Sequence, residues 1–300
     1  MGVLRVSVSL LLVGWATSAS AATMDITECD VTVPAGVKAV LQNDVFCEEY
    51  CNTDPSIDCR GGDDELCGPT GTCVMQNVTM GPGSKLDLNG HSIRPAYRGV
   101  GVECGVPGDR GTCTIVGPGS IAGQKGTGVA SASLDIKMRS VTIDNTDRAV
   151  VCGGFLDLRG VSVGGREDQI RAVEGIRARN VHVGPAGIET QGDLVMIGIE
   201  LDSNAGSISA AGKIRGKDIT SVGPRTIAGR DISLRRLTST PESEPPLDEI
   251  VTIEAVEKLR LVDSNVGVIE SGKKPKLSGT TCQQSIIAGS SGSWGVCTND

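Results

Sequence analysis

The chain has 300 residues, a formal net charge of −8 and an aromatic content of only 2%. That length suits one elongated domain with a long core. The acidic balance argues against nucleic acid as a partner, and so few rings cannot line a long groove for neutral sugars.

Residues 1–21 read as a signal peptide. Arg5 supplies the positive start, Val6 to Trp15 the apolar run, and Ala19, Ser20 and Ala21 a small-residue cleavage site. The run is too short to span a bilayer, which takes about 20 apolar residues, and no later segment is long enough. The expectation is a protein that is secreted, periplasmic or held at the cell surface, without a membrane span. All 11 cysteines follow the cleavage site, six of them between Cys29 and Cys73. Such density fits disulfides in an oxidising space better than a zinc site, since histidines are few.

Residues 22–76 are therefore expected to form a disulfide-rich N-terminal cap. Cys29 pairs naturally with Cys47, Cys104 with Cys113 and Cys282 with Cys297. Cys51, Cys59, Cys67 and Cys73 share two bridges in one of three ways. Cys152 is left over as a buried, inert thiol.

Residues 77–278 carry a repeat. The segments that begin at Leu86, Ile136, Leu156, Ile176, Leu194, Ile214 and Ile232 each read apolar-x-apolar, two polar or small residues, then apolar-x-apolar, with a few lapses in the later copies. From Ile136 onward the starts step by 20, 20, 18, 20 and 18 residues. Alternation on both sides means two short strands, each with one face inward. The fifth slot holds Gly90, Ser140, Gly160, Asn180, Gly198 and Asp218, with Arg236 as the exception. Most of these residue types accept a left-handed backbone, so the slot is a bend. Strand, bend and strand at this period describe a single-stranded right-handed parallel β-helix, an all-β solenoid. A leucine-rich repeat would need helical stretches that are missing. An excursion rich in Pro and acids interrupts the rhythm at residues 239–249, and a hairpin cap at 279–300 closes the far end.

Two stretches, residues 86–93 (LDLNGHSI) after an early cysteine pair and residues 114–121 (TIVGPGSI), carry a resemblance. The chain resembles secreted right-handed β-helix proteins of the pectate-lyase-like superfamily, particularly uncharacterised bacterial members. The coil pattern covers about residues 78–286. The resemblance implies the fold and, for the enzymes among its members, action on acidic polysaccharides. Of the hydrolase signature only Asn145, Thr146 and Asp147 match its first element. Asp63 and Asp64 precede that element, and the other two elements are missing, so no residue receives a hydrolase role.

Two outward features remain. The fourth slot carries Arg139, Arg159, Arg179, Lys217 and Arg235, and Arg177 and Arg215 lie two residues before that slot. Stacked coils turn them into a stripe of cations suited to carboxylates or sulfates on a polyanion. The plainer reading is a set of long charged side chains that keep the rod soluble. Asp144, Asp147, Glu167 and Asp168 form an acidic cluster that could share a proton or bind Ca²⁺, although a solvated turn accounts for it as well. No other cofactor and no dedicated metal site is expected. His91 falls in an inward slot and reads as a core residue. His182 falls in an outward slot with no carboxylate in its own segment. The balance favours a non-enzymatic binding or structural module for an anionic polysaccharide or an envelope component. The alternative is a divergent lyase or glycoside hydrolase acting on uronate polymers.

Overall fold

The computed structural model describes residues 22–51, 73–97, 99–123, 126–144, 146–164, 169–202, 205–223, 225–240, 251–287 and 293–294. Every regular element among them is a β-strand. The strands stack in parallel into three columns, and each coil crosses a first, a second and a third face in turn. One turn shows the pattern. Arg148–Cys152 lies on the first face, Phe155–Arg159 on the second and Ser162–Val163 on the third, before Gln169–Ala172 returns to the first. Each strand pairs one coil onward, Val150 with Ile170, Leu156 with Ile176 and Val163 with Val183. This is the parallel β-solenoid that the periodicity predicts.

Alternation fills the interior. Ile136, Met138, Val141 and Ile143, the apolar slots of one coil, are at most 1% exposed. Each such side chain contributes about 1.5–3 kcal/mol by leaving water, and the same slots repeat along the whole rod. Residues between them point outward, which makes every face a lattice of side chains at strand spacing.

The bend between the second and third faces is a left-handed residue in coil after coil. Ser140, Gly160, Asn180, Gly198 and Asp218 have φ of 54°, 58°, 51°, 63° and 56°. Arg236, the exception by residue type, adopts the same conformation at φ 54°, and Asp263 continues the column at 49°. Left-handed backbone is unfavourable for a residue with a long side chain. Arg236 has a compensation one coil below, where its Nε and Nη2 fork onto the carboxylate of Asp218, Nη2 at 2.7 Å. The guanidinium holds the Asp218 carboxyl below its ordinary range.

The first repeat copy is out of phase with the others. Leu86 pairs with Ile115, which pairs with Met138 rather than with Ile136. Ile93 nevertheless reaches Ile121 and, through it, Ile143. The bend between must hold two more residues, and both Asn89 and Gly90 are left-handed, at φ 51° and 86°. His91 therefore does not enter the core. Its side chain is 34% exposed, with Nδ1 3.7 Å from Asp44 Oδ1.

Parallel pairing also extends to both sides of residues 77–278. Thr23–Ile26 pairs with Lys38–Leu41, and Val31–Val33 with Val78–Met80, so the described residues before Val78 are themselves coiled. At the other end Thr281–Ile287 pairs with Asn265–Ser271, and Ser293–Trp294 adds a short antiparallel strand. Disulfides join Cys29 to Cys47 and Cys104 to Cys113, with Cα atoms 5.2 and 5.8 Å apart. Cys282 is also disulfide-bonded. Cys51 and Cys73 are backbone register partners in a separate two-stranded antiparallel pair. Cys59, Cys67, Cys297, residues 1–21, where a signal peptide is expected, and residues 241–250 lie outside the described residues. No helix among the described residues is long and apolar enough to cross a membrane.

Candidate functional site

All seven cations singled out in the sequence lie on the outer side of the second face. Arg139, Arg159 and Arg179 are consecutive register partners. The same row continues through Ile197 to Lys217 and Arg235. A second row, two residues earlier on each strand, carries Arg177 and Arg215. Strands stack about 4.8 Å apart, so adjacent rungs put cations within reach of one extended ligand.

The seven are not equivalent. Arg159 forks onto Asp157, Nη2 at 2.8 Å from Oδ2 and Nε at 3.3 Å from Oδ1, and Asp157 is only 6% exposed. Arg159 therefore neutralises a buried carboxylate and is committed to the fold. Arg177 lies over the Phe155 ring at 5.9 Å from its centroid, a cation–π contact. Lys217 is 3.9 Å from Asp218. Arg139, Arg179, Arg215 and Arg235 are exposed to solvent.

The cationic face runs beyond these seven residues. Arg215 pairs through Ser233 with Arg260, and Arg260 pairs with Lys276. Lys213 and Lys258 flank Asp231 in the neighbouring row. Four coils here enclose a hollow of about 330 Å³ lined by Lys213, Arg215, Lys258, Arg260, Lys274 and Lys276 around Asp231. A signal for these residues was present. Leu259, Arg260, Leu261, Val262 and Asp263 repeat the apolar-x-apolar-x-bend pattern, but the excursion just before them hides the phase.

The acidic cluster is only partly in view. Asp144 is half-buried at the end of Thr142–Asp144, and Asp147 is exposed in the following turn. Glu167, Asp168 and Asn145 lie outside the described residues. Among the described residues no group of three or more His, Cys, Asp or Glu side chains could hold a metal ion. His182 does have carboxylate neighbours, supplied by the next coil. Its Nδ1 is 3.6 Å from Glu200 Oε2 and its Nε2 is 3.2 Å from Asp202 Oδ2. A reading along one strand misses partners that stacking brings in from above.

The most perturbed cation is away from this face. Arg225, 6% exposed, donates from Nη2 to the carbonyls of Asp202 and Val222, both at 2.6 Å. Burial lowers its pKa to about 10, with the Asp202 charge opposing the shift.

Cys152 has a structural explanation. It is register partner to Ser131 below and, through Ala172, to Thr190 above, all at the corner where the first face ends. Ser131 Oγ donates to the Leu134 carbonyl at 2.9 Å and accepts from the Leu134 N–H at 2.8 Å, and Thr190 Oγ1 accepts from the Gly192 N–H at 3.1 Å. Cys152 Sγ takes the corresponding role, 3.4 Å from the Leu134 carbonyl and 3.6 Å from that of Phe155. Burial pushes its pKa up to about 11 from 9.0. The native thiol is then almost fully protonated and unreactive at about pH 8. Iodoacetamide at that pH is expected to alkylate Cys152 only after unfolding, as read by peptide mass spectrometry; rapid alkylation of the native protein would contradict this. The folded state holds this proton more tightly than the unfolded one. Its contribution to stability is thus present below about pH 9 and is lost as pH rises through 11. Cys152→Ser should remove that part of the alkaline decline while keeping the corner hydrogen bonds.

Comparison of the chain with known protein families, with curated proteins and with solved structures finds no match.

Proposed function

We propose that this chain is an exported β-helix of pectate-lyase-like type, a non-enzymatic module that binds an anionic polysaccharide along its second face. One observation carries the reading. The strand register sets Arg139, Arg179 and Arg235 in one row and Arg215 in the row beside it, with further cations toward the C-terminal end, although the whole chain is acidic. Charges scattered only for solubility need not segregate onto one side. A flat parallel sheet offers a polymer a straight track, and guanidinium forks match carboxylates and sulfates.

Titration of the mature protein with polygalacturonate and alginate at several salt concentrations tests it. Affinity should fall as salt rises, because exposed charges are screened beyond about 10 Å at 0.1 M. Arg139→Ala combined with Arg179→Ala should weaken binding roughly tenfold at low salt. Arg171→Ala, on the first face beside Glu189, should leave it unchanged. Arg159→Ala is unsuited to this purpose because it strands the buried Asp157. Binding that ignores salt and both arginines would end the reading. The appearance of unsaturated uronate absorbance would instead make the chain a lyase.

A further inference from the structure

The carboxylates of the second face have a common habit, and Asp231 departs from it. Asp135 Oδ1 accepts the backbone N–H of Phe155 one coil above at 2.8 Å, and Asp193 Oδ1 accepts that of Lys213 at 2.8 Å. Asp157 is taken by Arg159, and Asp87 lies 3.4 Å from Lys38. Asp231 Oδ1 is shielded from solvent and accepts no hydrogen bond.

The register is also unusual at this point. From Ala210 to Lys213 the chain takes three steps, and from Ala255 to Lys258 again three. From Gly229 to Asp231, between them, it takes two. Asp231 thus follows a shorter corner than Asp135 and Asp193, the two carboxylates of this row that accept a backbone N–H from the coil above. The hollow of about 330 Å³ opens at this corner, with six cationic side chains around the one acid. Lys213 and Lys258, directly below and above Asp231, are long jointed side chains that can part around a ligand.

We infer that this hollow is the subsite of the face that takes one acidic sugar residue. The inference rests on the polysaccharide reading above and adds the chemistry of recognition. A ligand carrying only anionic groups gains from the six cations but is repelled by Asp231. A uronic acid brings both halves of the match. Its carboxylate sits among Lys258, Arg260 and Lys276, and a ring hydroxyl donates to Asp231 Oδ1. An acceptor already out of water gains most from such a donor, because leaving it unmade is the costly state.

The sign of one substitution tests this. Full mature protein is titrated with an oligogalacturonate and, separately, with inorganic polyphosphate, at the same ionic strength. Asp231→Ala should weaken the oligogalacturonate about tenfold while tightening polyphosphate. Asp231→Asn keeps an acceptor oxygen and should retain oligogalacturonate affinity, which controls for folding together with the unfolding midpoint. Arg260→Ala should weaken both ligands. If Asp231→Ala tightens both, the hollow is a cation patch without sugar recognition, and the inference is overturned. The same holds if Arg260→Ala leaves both unchanged while Arg139→Ala with Arg179→Ala abolishes uronate binding, an outcome that spares the broader reading. A wild-type protein that binds no uronate overturns both.

Discussion

Gly192→Ala is expected to destabilise the rod by about 3 kcal/mol, at the upper end of what overpacking costs. A Cβ at Gly192 would stand 1.8 Å from the carbonyl oxygen of Glu174 and 2.4 Å from its carbon, which are backbone atoms of the coil beneath. No flexible side chain is there to swing away, so the two coils must separate at the corner between the first and second faces. The same crowding recurs at Gly153 against the Ala132 oxygen, at 1.9 Å, and at Gly272 against the Val256 oxygen, at 2.0 Å. Thermal unfolding followed by circular dichroism should show a midpoint roughly 5–10 °C lower for Gly192→Ala. Gly36→Ala is the comparison. Gly36 has φ +72° and no atom within 4 Å of the added carbon, so only the backbone preference is lost, about 1 kcal/mol. Equal shifts for the two variants would show that coil-to-coil contact at the corner is not what demands glycine.

Replacing Cys29 and Cys47 together by serine should cost a similar amount, about 3 kcal/mol for a loop of this length. The two residues are 18 apart in sequence and clamp the first coil. Its strands Val31–Val33 and Val45–Phe46 pair upward with Val78–Met80 and Ser92–Arg94, and no strand among the described residues pairs with their other edges. Without the clamp this coil should fray and offer open backbone groups to a second molecule. A lower midpoint with early proteolysis near the N-terminus, and larger species on size exclusion, are the expected signs. The Cys104–Cys113 bridge spans only 9 residues and sits between coils on both sides. Its removal should cost less and leave the elution volume on size exclusion unchanged. A Cys29→Ser, Cys47→Ser variant as stable and monodisperse as wild type would refute this account of the end coil.

Much of the architecture could be read in advance because it is local chemistry repeated. Alternation names the inward residues, and Gly, Asn and Asp at one slot announce a left-handed bend. Arg236 shows where residue type stops being informative. It adopts the bend because its neighbours in the stack impose it and Asp218 rewards it. Leu86 shows a different failure. Its segment follows the slot pattern of the others, yet its true partner is Met138 by way of Ile115, and only strand register reveals the two extra residues of the bend. His91 lies outside the core for that reason. The cationic stripe was visible as a spacing, but its internal differences were not. That Arg159 serves Asp157 while Arg179 faces solvent depends on burial and rotamer. The hollow over Asp231 escaped altogether, since it arises from one missing residue at a corner, a difference of count between coils that no composition or motif records.

The short corner at Asp231 also bears on how such a protein can change over generations. Each turn meets only the turn before and the turn after, so a whole turn cut out or copied at matching bends leaves the others undisturbed. The flat side then grows or shrinks like a ruler marked at about 4.8 Å intervals. Loss of a single residue at a corner does something else. It leaves the ruler's length nearly alone and scoops a local dent, with new walls made from side chains already present. Length and selectivity can therefore drift apart, the first by turns and the second by single residues.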